Sequence, residues 1–82
     1  MDLKFEIAGR VQGVGFRPFI YRIATRFGLK GVVFNDGEGV KIFASADKLK
    51  IEKFKKALFA ELPPLAKIEK IKITETLPQN FT

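Results

Sequence analysis

Gly9-Arg10-Val11-Gln12-Gly13-Val14-Gly15-Phe16-Arg17-Pro18 joins two stretches of different period, and that change decides the fold. Before it, Leu3-Lys4-Phe5-Glu6-Ile7-Ala8 alternates apolar and polar residues, the repeat of a strand with one face on a core. After it, Ile20, Ile23, Ala24 and Phe27 recur at helical spacing, Arg22, Thr25 and Arg26 fall on the other side, and Gly28 supplies a left-handed stop. Pro18 has its φ pre-set for a first helical turn and no N–H to lose, which predicts a helix of about three turns starting there. The connection itself reads as an anion site. Gly9, Gly13 and Gly15 allow positive φ, so successive N–H groups can converge on a ligand. The helix N-terminus and the Arg17 guanidinium add positive charge, which favours a small oxyanion such as phosphate.

Working outward, Lys30-Gly31-Val32-Val33-Phe34-Asn35 and Val40-Lys41-Ile42-Phe43-Ala44 flank the turn residues Asp36-Gly37-Glu38-Gly39 and predict a hairpin. Asp47 can cap a second helix whose stripe is Ile51, Phe54, Leu58 and Leu62, with Lys48, Lys53, Lys55 and Lys56 outside it and Pro63-Pro64 at its end. Ile68, Ile71 and Ile73 predict a last strand with an irregularity between Ile68 and Ile71. The order β-α-β-β-α-β gives an α+β, ferredoxin-like split βαβ domain: a four-stranded antiparallel sheet with two helices on one face. Phe16, Phe19, Phe27, Phe34, Phe43, Phe54 and Phe59 are expected to form its core. The tail Leu77-Pro78-Gln79-Asn80-Phe81-Thr82 carries no cap or charge cluster and reads as a cut in a longer chain, so residues 1–82 are expected to be one domain of a larger protein.

Composition narrows the chemistry. The 82 residues, 46% hydrophobic and 29% charged, suit a single core. No apolar run approaches the roughly 20 residues of a membrane span and no signal-peptide pattern opens the chain, so a cytoplasmic, membrane-free monomer is expected. With no cysteine and no histidine, disulfides, zinc sites and Ser-His or Cys-His pairs are excluded, and neither metal nor cofactor is expected. The net charge of +6 suits an anionic partner without choosing one. Gly13-x-Gly15 lacks the third glycine of a dinucleotide fingerprint, Pro18 standing in its place, and no Gly-Lys-Ser/Thr follows for a P-loop.

An enzyme of this composition works by positioning and electrostatics, and Arg17 and Asn35 are its candidate catalytic residues. Arg17 can fork onto two phosphoryl oxygens; the Asn35 amide can hold a water in line with the bond to be broken. A phosphoryl oxygen can take the water's proton, so no protein base is required. The pairing requires the loop to lie near the hairpin, which is expected on the premise that the first two strands are neighbours. Each feature also has a plainer reading: a glycine-rich strand-to-helix connection is commonly a tight turn, an arginine after it a surface ion-pair partner, and an asparagine before Asp-Gly a turn residue.

Val11-Gln12-Gly13-Val14-Gly15-Phe16-Arg17, then Gly31-Val32-Val33-Phe34-Asn35 with Gly39 after the turn, resembles the two signature segments of the acylphosphatases at matching separation. The resemblance covers nearly the whole chain. It implies hydrolysis of carboxyl-phosphate anhydrides, with a phosphate cradle of Gln12, Gly13, Val14, Gly15, Phe16 and Arg17, the substrate-binding arginine carried onto Arg17 and the water-orienting asparagine onto Asn35. Arg17-Pro18-Phe19, Asn35-Asp36-Gly37-Glu38-Gly39-Val40 and Pro63-Pro64-Leu65-Ala66-Lys67-Ile68 are more similar still to the amino-terminal acylphosphatase-like domain of the carbamoyltransferases that mature nickel-iron hydrogenases. That likeness implies carbamoyl phosphate as the small-molecule partner, with downstream domains of the same protein and a hydrogenase-maturation partner beside it. Val32, where free-standing acylphosphatases usually have an aromatic residue, and the residues after Gly39 depart from the general pattern. A free-standing general acylphosphatase is the alternative. A non-catalytic docking domain is less favoured because both Arg17 and Asn35 are retained. A nucleic-acid binder is disfavoured because Lys30-Gly31 opens the second strand and leads into Val32-Val33 rather than the aromatics of an RNA-recognition motif.

Overall fold

Alternation in the first strand sets the sheet. In β1 (Asp2–Arg10), Leu3, Phe5 and Ile7 are buried while Lys4, Glu6 and Ala8 turn to the other face. The computed structural model describes residues 1–37 and 39–77; the tail from Pro78 lies outside them. After β1 come α1 (Phe16–Arg26), β2 (Lys30–Asp36), β3 (Gly39–Ser45), α2 (Lys48–Ala60) and β4 (Lys67–Glu75), the expected β-α-β-β-α-β order. The sheet runs β2-β3-β1-β4 with every neighbouring pair antiparallel, a ferredoxin-like arrangement. Ile20 and Ile23 of α1 and Ile51, Phe54 and Leu58 of α2 close over one face, where Phe5 and Phe54 meet edge to face at 5.5 Å.

The capping and the irregularity fall where the residues predict. Asp47 Oδ1 accepts the Lys50 N–H at 2.9 Å at the start of α2. The β1–β4 register slips between Ala8, opposite Lys70, and Gly9, opposite Ile68, so the extra residue is Glu69. Gly9 is required there: a Cβ would lie 2.2 Å from the Lys67 carbonyl oxygen, and its φ is +134°. Its freedom serves the bulge against β4, not a ligand.

Four expectations are corrected. β1 and β2 are not neighbours; β3 lies between them, as the antiparallel β2–β3 hairpin places its second strand against β1. The first helix starts at Phe16, two residues before Pro18, because Gly15 at φ +76° takes the N-cap place and Pro18 still falls inside the first turn, where its missing N–H costs nothing. Leu62 is only half-buried and lies beyond the end of α2; Ala57 completes the buried stripe instead. The phenylalanines do not all enter the core. Phe16, Phe19 and Phe54 are buried, Phe27 and Phe43 are half-buried, and Phe34 and Phe59 are exposed. Phe34 stacks on Phe43 on the open face of the sheet, their centroids 6.0 Å apart and planes 17° from parallel.

Candidate functional site

The loop between β1 and α1 is fixed from below and open above. Val11 and Phe16 are buried and Val14 is half-buried against the core, so three apolar anchors hold the loop while its glycines and Arg17 are exposed. Gly13 and Gly15 both sit in the left-handed region, at φ +70° and +76°, which glycine takes without the strain a side chain would bring. The first helical bond runs from the Phe19 N–H to the Gly15 carbonyl at 3.2 Å. The N–H groups of Gln12, Gly13, Val14, Gly15, Phe16 and Arg17 therefore have no acceptor among the described residues. No acidic residue occupies the first turn of α1, and no side chain caps it. The positive end of the helix thus meets the loop with no acidic residue of its own first turn to neutralise it.

Arg17, in that first turn, is exposed and has no ion-pair or hydrogen-bond partner among the described residues. Arg26, at the far end of α1, is by contrast committed to Glu61. The plainer reading of Arg17 as a surface ion-pair partner is thus not met by any described carboxylate.

Asn35 lies one residue before the end of β2, opposite Val40 in the ladder. Val40 in turn faces Ile7 of β1, a row that puts Asn35 on the helix-bearing side of the sheet, the side from which α1 and its loop approach. Although β3 intervenes, the loop reaches the hairpin. Gln12 Nε2 donates to the Asp36 carbonyl at 3.1 Å and to the Gly39 carbonyl at 3.4 Å, touching both ends of the β2–β3 turn. The proximity required of Arg17's loop and Asn35's strand is met, through a contact that the sequence did not announce. The turn is itself braced. Asp36 Oδ1 accepts the Gly39 N–H at 3.0 Å and its other oxygen meets Lys41 Nζ at 2.9 Å. Gly39 packs so closely on β1 that a Cβ would lie 2.0 Å from the Ile7 carbonyl oxygen.

A narrow groove of about 80 Å³ between α1 and β2 and an open depression of about 470 Å³ on the other face of the sheet lie apart from this loop. The candidate site is instead the loop itself, whose backbone donors without a described acceptor suit a phosphoryl group. Among the described residues no cluster of carboxylates could hold a metal ion, and no helix is long and apolar enough to cross a membrane.

Comparison with known proteins bears on this geometry directly. The chain is 42% identical over 82 residues to the carbamoyltransferase HypF of Rhodobacter capsulatus; that match takes in 95% of the chain but only 11% of the relative, so the chain spans about a tenth of such proteins. It is 39% identical over 80 residues to the acylphosphatase of Thermotoga maritima, covering 96% of the chain and 88% of that relative. Among solved structures, a full-length HypF in a phosphate- and nucleotide-bound form superposes with a TM-score of 0.93 at 35% identity, covering 98% of the chain and 11% of that protein. The acylphosphatase of Bacillus subtilis superposes at 0.85 with 33% identity, over 95% of the chain and 87% of that protein. Residues 3–82 match the acylphosphatase family model, and with relatives of nearly equal length at this identity the chain belongs to the acylphosphatase family.

Proposed function

We propose that the chain hydrolyses the carboxyl-phosphate bond of small acyl phosphates, with carbamoyl phosphate as its substrate in the setting of nickel-iron hydrogenase maturation. The observation that carries the reading is the run of six N–H groups from Gln12 to Arg17 without an acceptor among the described residues, ending in an arginine with no described partner and held beside the strand that bears Asn35. In this reading the cradle and the Arg17 guanidinium take the phosphoryl oxygens and neutralise their charge. The Asn35 amide orients a water for in-line attack. The new P–O bond forms as the bond from phosphorus to the acyl oxygen breaks, the carboxylate leaves with the electron pair, and the water's proton passes to a phosphoryl oxygen. For carbamoyl phosphate the products are carbamate and phosphate. The similarity to carbamoyltransferases supports the carbamoyl group, and in that setting further domains of a longer chain would receive the product.

A general acylphosphatase is the second reading, favoured by relatives that the chain matches over nearly their full length. The test is phosphate release from carbamoyl phosphate and from benzoyl phosphate by the purified chain, with Arg17→Ala and Asn35→Ala beside it. Arg17→Ala is expected to lower kcat/KM on the order of 1,000-fold. Asn35→Ala is expected to lower kcat about 100-fold while leaving KM within about twofold. A preference for carbamoyl phosphate supports the maturation setting, and a preference for benzoyl phosphate the general enzyme. Turnover by Asn35→Ala at the native rate contradicts its assigned role.

A further inference from the structure

The topology sets a problem that one side chain answers. The loop leaves β1, Asn35 sits on β2, and β3 separates the two strands, so the strands that carry the halves of the site run two spacings apart, about 10 Å. No ladder hydrogen bond joins β1 to β2. Gln12 spans the gap with a single nitrogen: Nε2 donates to the carbonyl of Asp36, the last residue of β2, and to that of Gly39, the first of β3. Both acceptors are carbonyl oxygens, so the amide can be oriented only one way. The two carbonyls it meets belong to the turn that Asp36 and Lys41 brace, and Asn35 is bonded directly to Asp36. The clip thus ends on a stiff support one peptide from the candidate water-orienting amide.

Resting on the acyl phosphate reading above, we propose that Gln12 is a positioning residue: its side chain, directed away from the cradle, fixes the spacing between the phosphate-binding loop and the Asn35 amide. The loop keeps its own shape without it, since Val11, Val14, Phe16 and the left-handed glycines hold it. Losing the clip should therefore spare phosphate binding and impair only the step that needs both halves of the site.

The experiment compares the native chain with Gln12→Met, which keeps length without donors, and Gln12→Glu. With benzoyl phosphate as substrate, Gln12→Met is expected to lower kcat at least about tenfold, with KM and inhibition by inorganic phosphate within about twofold of native. Gln12→Glu sets a carboxylate against two carbonyl oxygens at neutral pH and should be as poor; its activity relative to the native chain should recover as acid protonates the carboxyl and restores a donor, whereas Gln12→Met should show no such recovery. A raised KM with native kcat, or native kcat in Gln12→Met, overturns the proposal. Amide NMR spectra separate its failure from that of the catalytic reading. Even if the native chain releases no phosphate, Gln12→Met should shift the signals of residues 13–17 together with those of Asn35, Asp36 and Gly37, leaving α2 unchanged. Shifts confined to the loop would overturn the clip.

Discussion

At Arg17 and Asn35 the proposed reaction would place narrow demands on single residues: one would carry a fixed charge to a phosphoryl group, and the other would present an amide that both donates and accepts. The glycines around them separate two kinds of constraint. Gly13 has open space where a Cβ would point, so only its φ of +70° opposes a side chain. Gly39 has both a positive φ, +154°, and the Ile7 carbonyl oxygen 2.0 Å from a Cβ. Gly13→Ala is expected to cost about 1 kcal/mol, the ordinary cost of the left-handed region. Gly39→Ala, which must also move backbone against backbone, is expected to cost on the order of 3 kcal/mol. Urea denaturation of the two variants checks the ranking; equal losses would show that the β1–β3 approach at Gly39 is looser than the structure has it.

At the scale of elements, the two helices are tied by one exposed pair. Arg26, in the last turn of α1, donates a hydrogen bond to Glu61, the residue closing α2, and this bond holds the Glu61 carboxyl below its ordinary value of 4.5. A carboxyl whose pKa is lowered by folding adds stability above its unfolded value and loses it as pH falls through the lower folded one. The stability difference between the native chain and Glu61→Gln should therefore be full at neutral pH, shrink below about pH 4.5, and weaken in salt because both groups face solvent. Urea midpoints of the two chains from pH 7 to pH 3 make the comparison. A difference constant across that range would assign the pair no part in the acid response.

For the whole molecule, periodicity made most of the architecture legible. Alternation around Phe5, the helical spacing from Ile20, the Asp47 cap and the displaced isoleucines of the last strand each describe a local event, and each lies where its residues place it. Which strand neighbours which is not local, and the separation of β2 from β1 by β3 could not be read from alternation. Aromatic content misled in a related way, because Phe34 and Phe59 have the composition of a core and the positions of a surface. Phe54→Ala should accordingly cost about 3–5 kcal/mol by leaving a cavity between α2 and the sheet, and Phe34→Ser less than about 1 kcal/mol. Of the candidate site, the glycine loop, Arg17 and Asn35 were legible as types of residue at a spacing. The Gln12 bridge that brings their elements together was not, since no local pattern distinguishes a glutamine that faces a ligand from one that faces a neighbouring turn. In the proposed reaction this loop presents a phosphoryl group to attack by water. This is tested most directly by hydrolysing benzoyl phosphate in ¹⁸O-labelled water with the native chain and with Arg17→Ala. Release that depends on Arg17, with the label in the phosphate, is expected. Label in the benzoate, or release undiminished in Arg17→Ala, would contradict the proposed reaction.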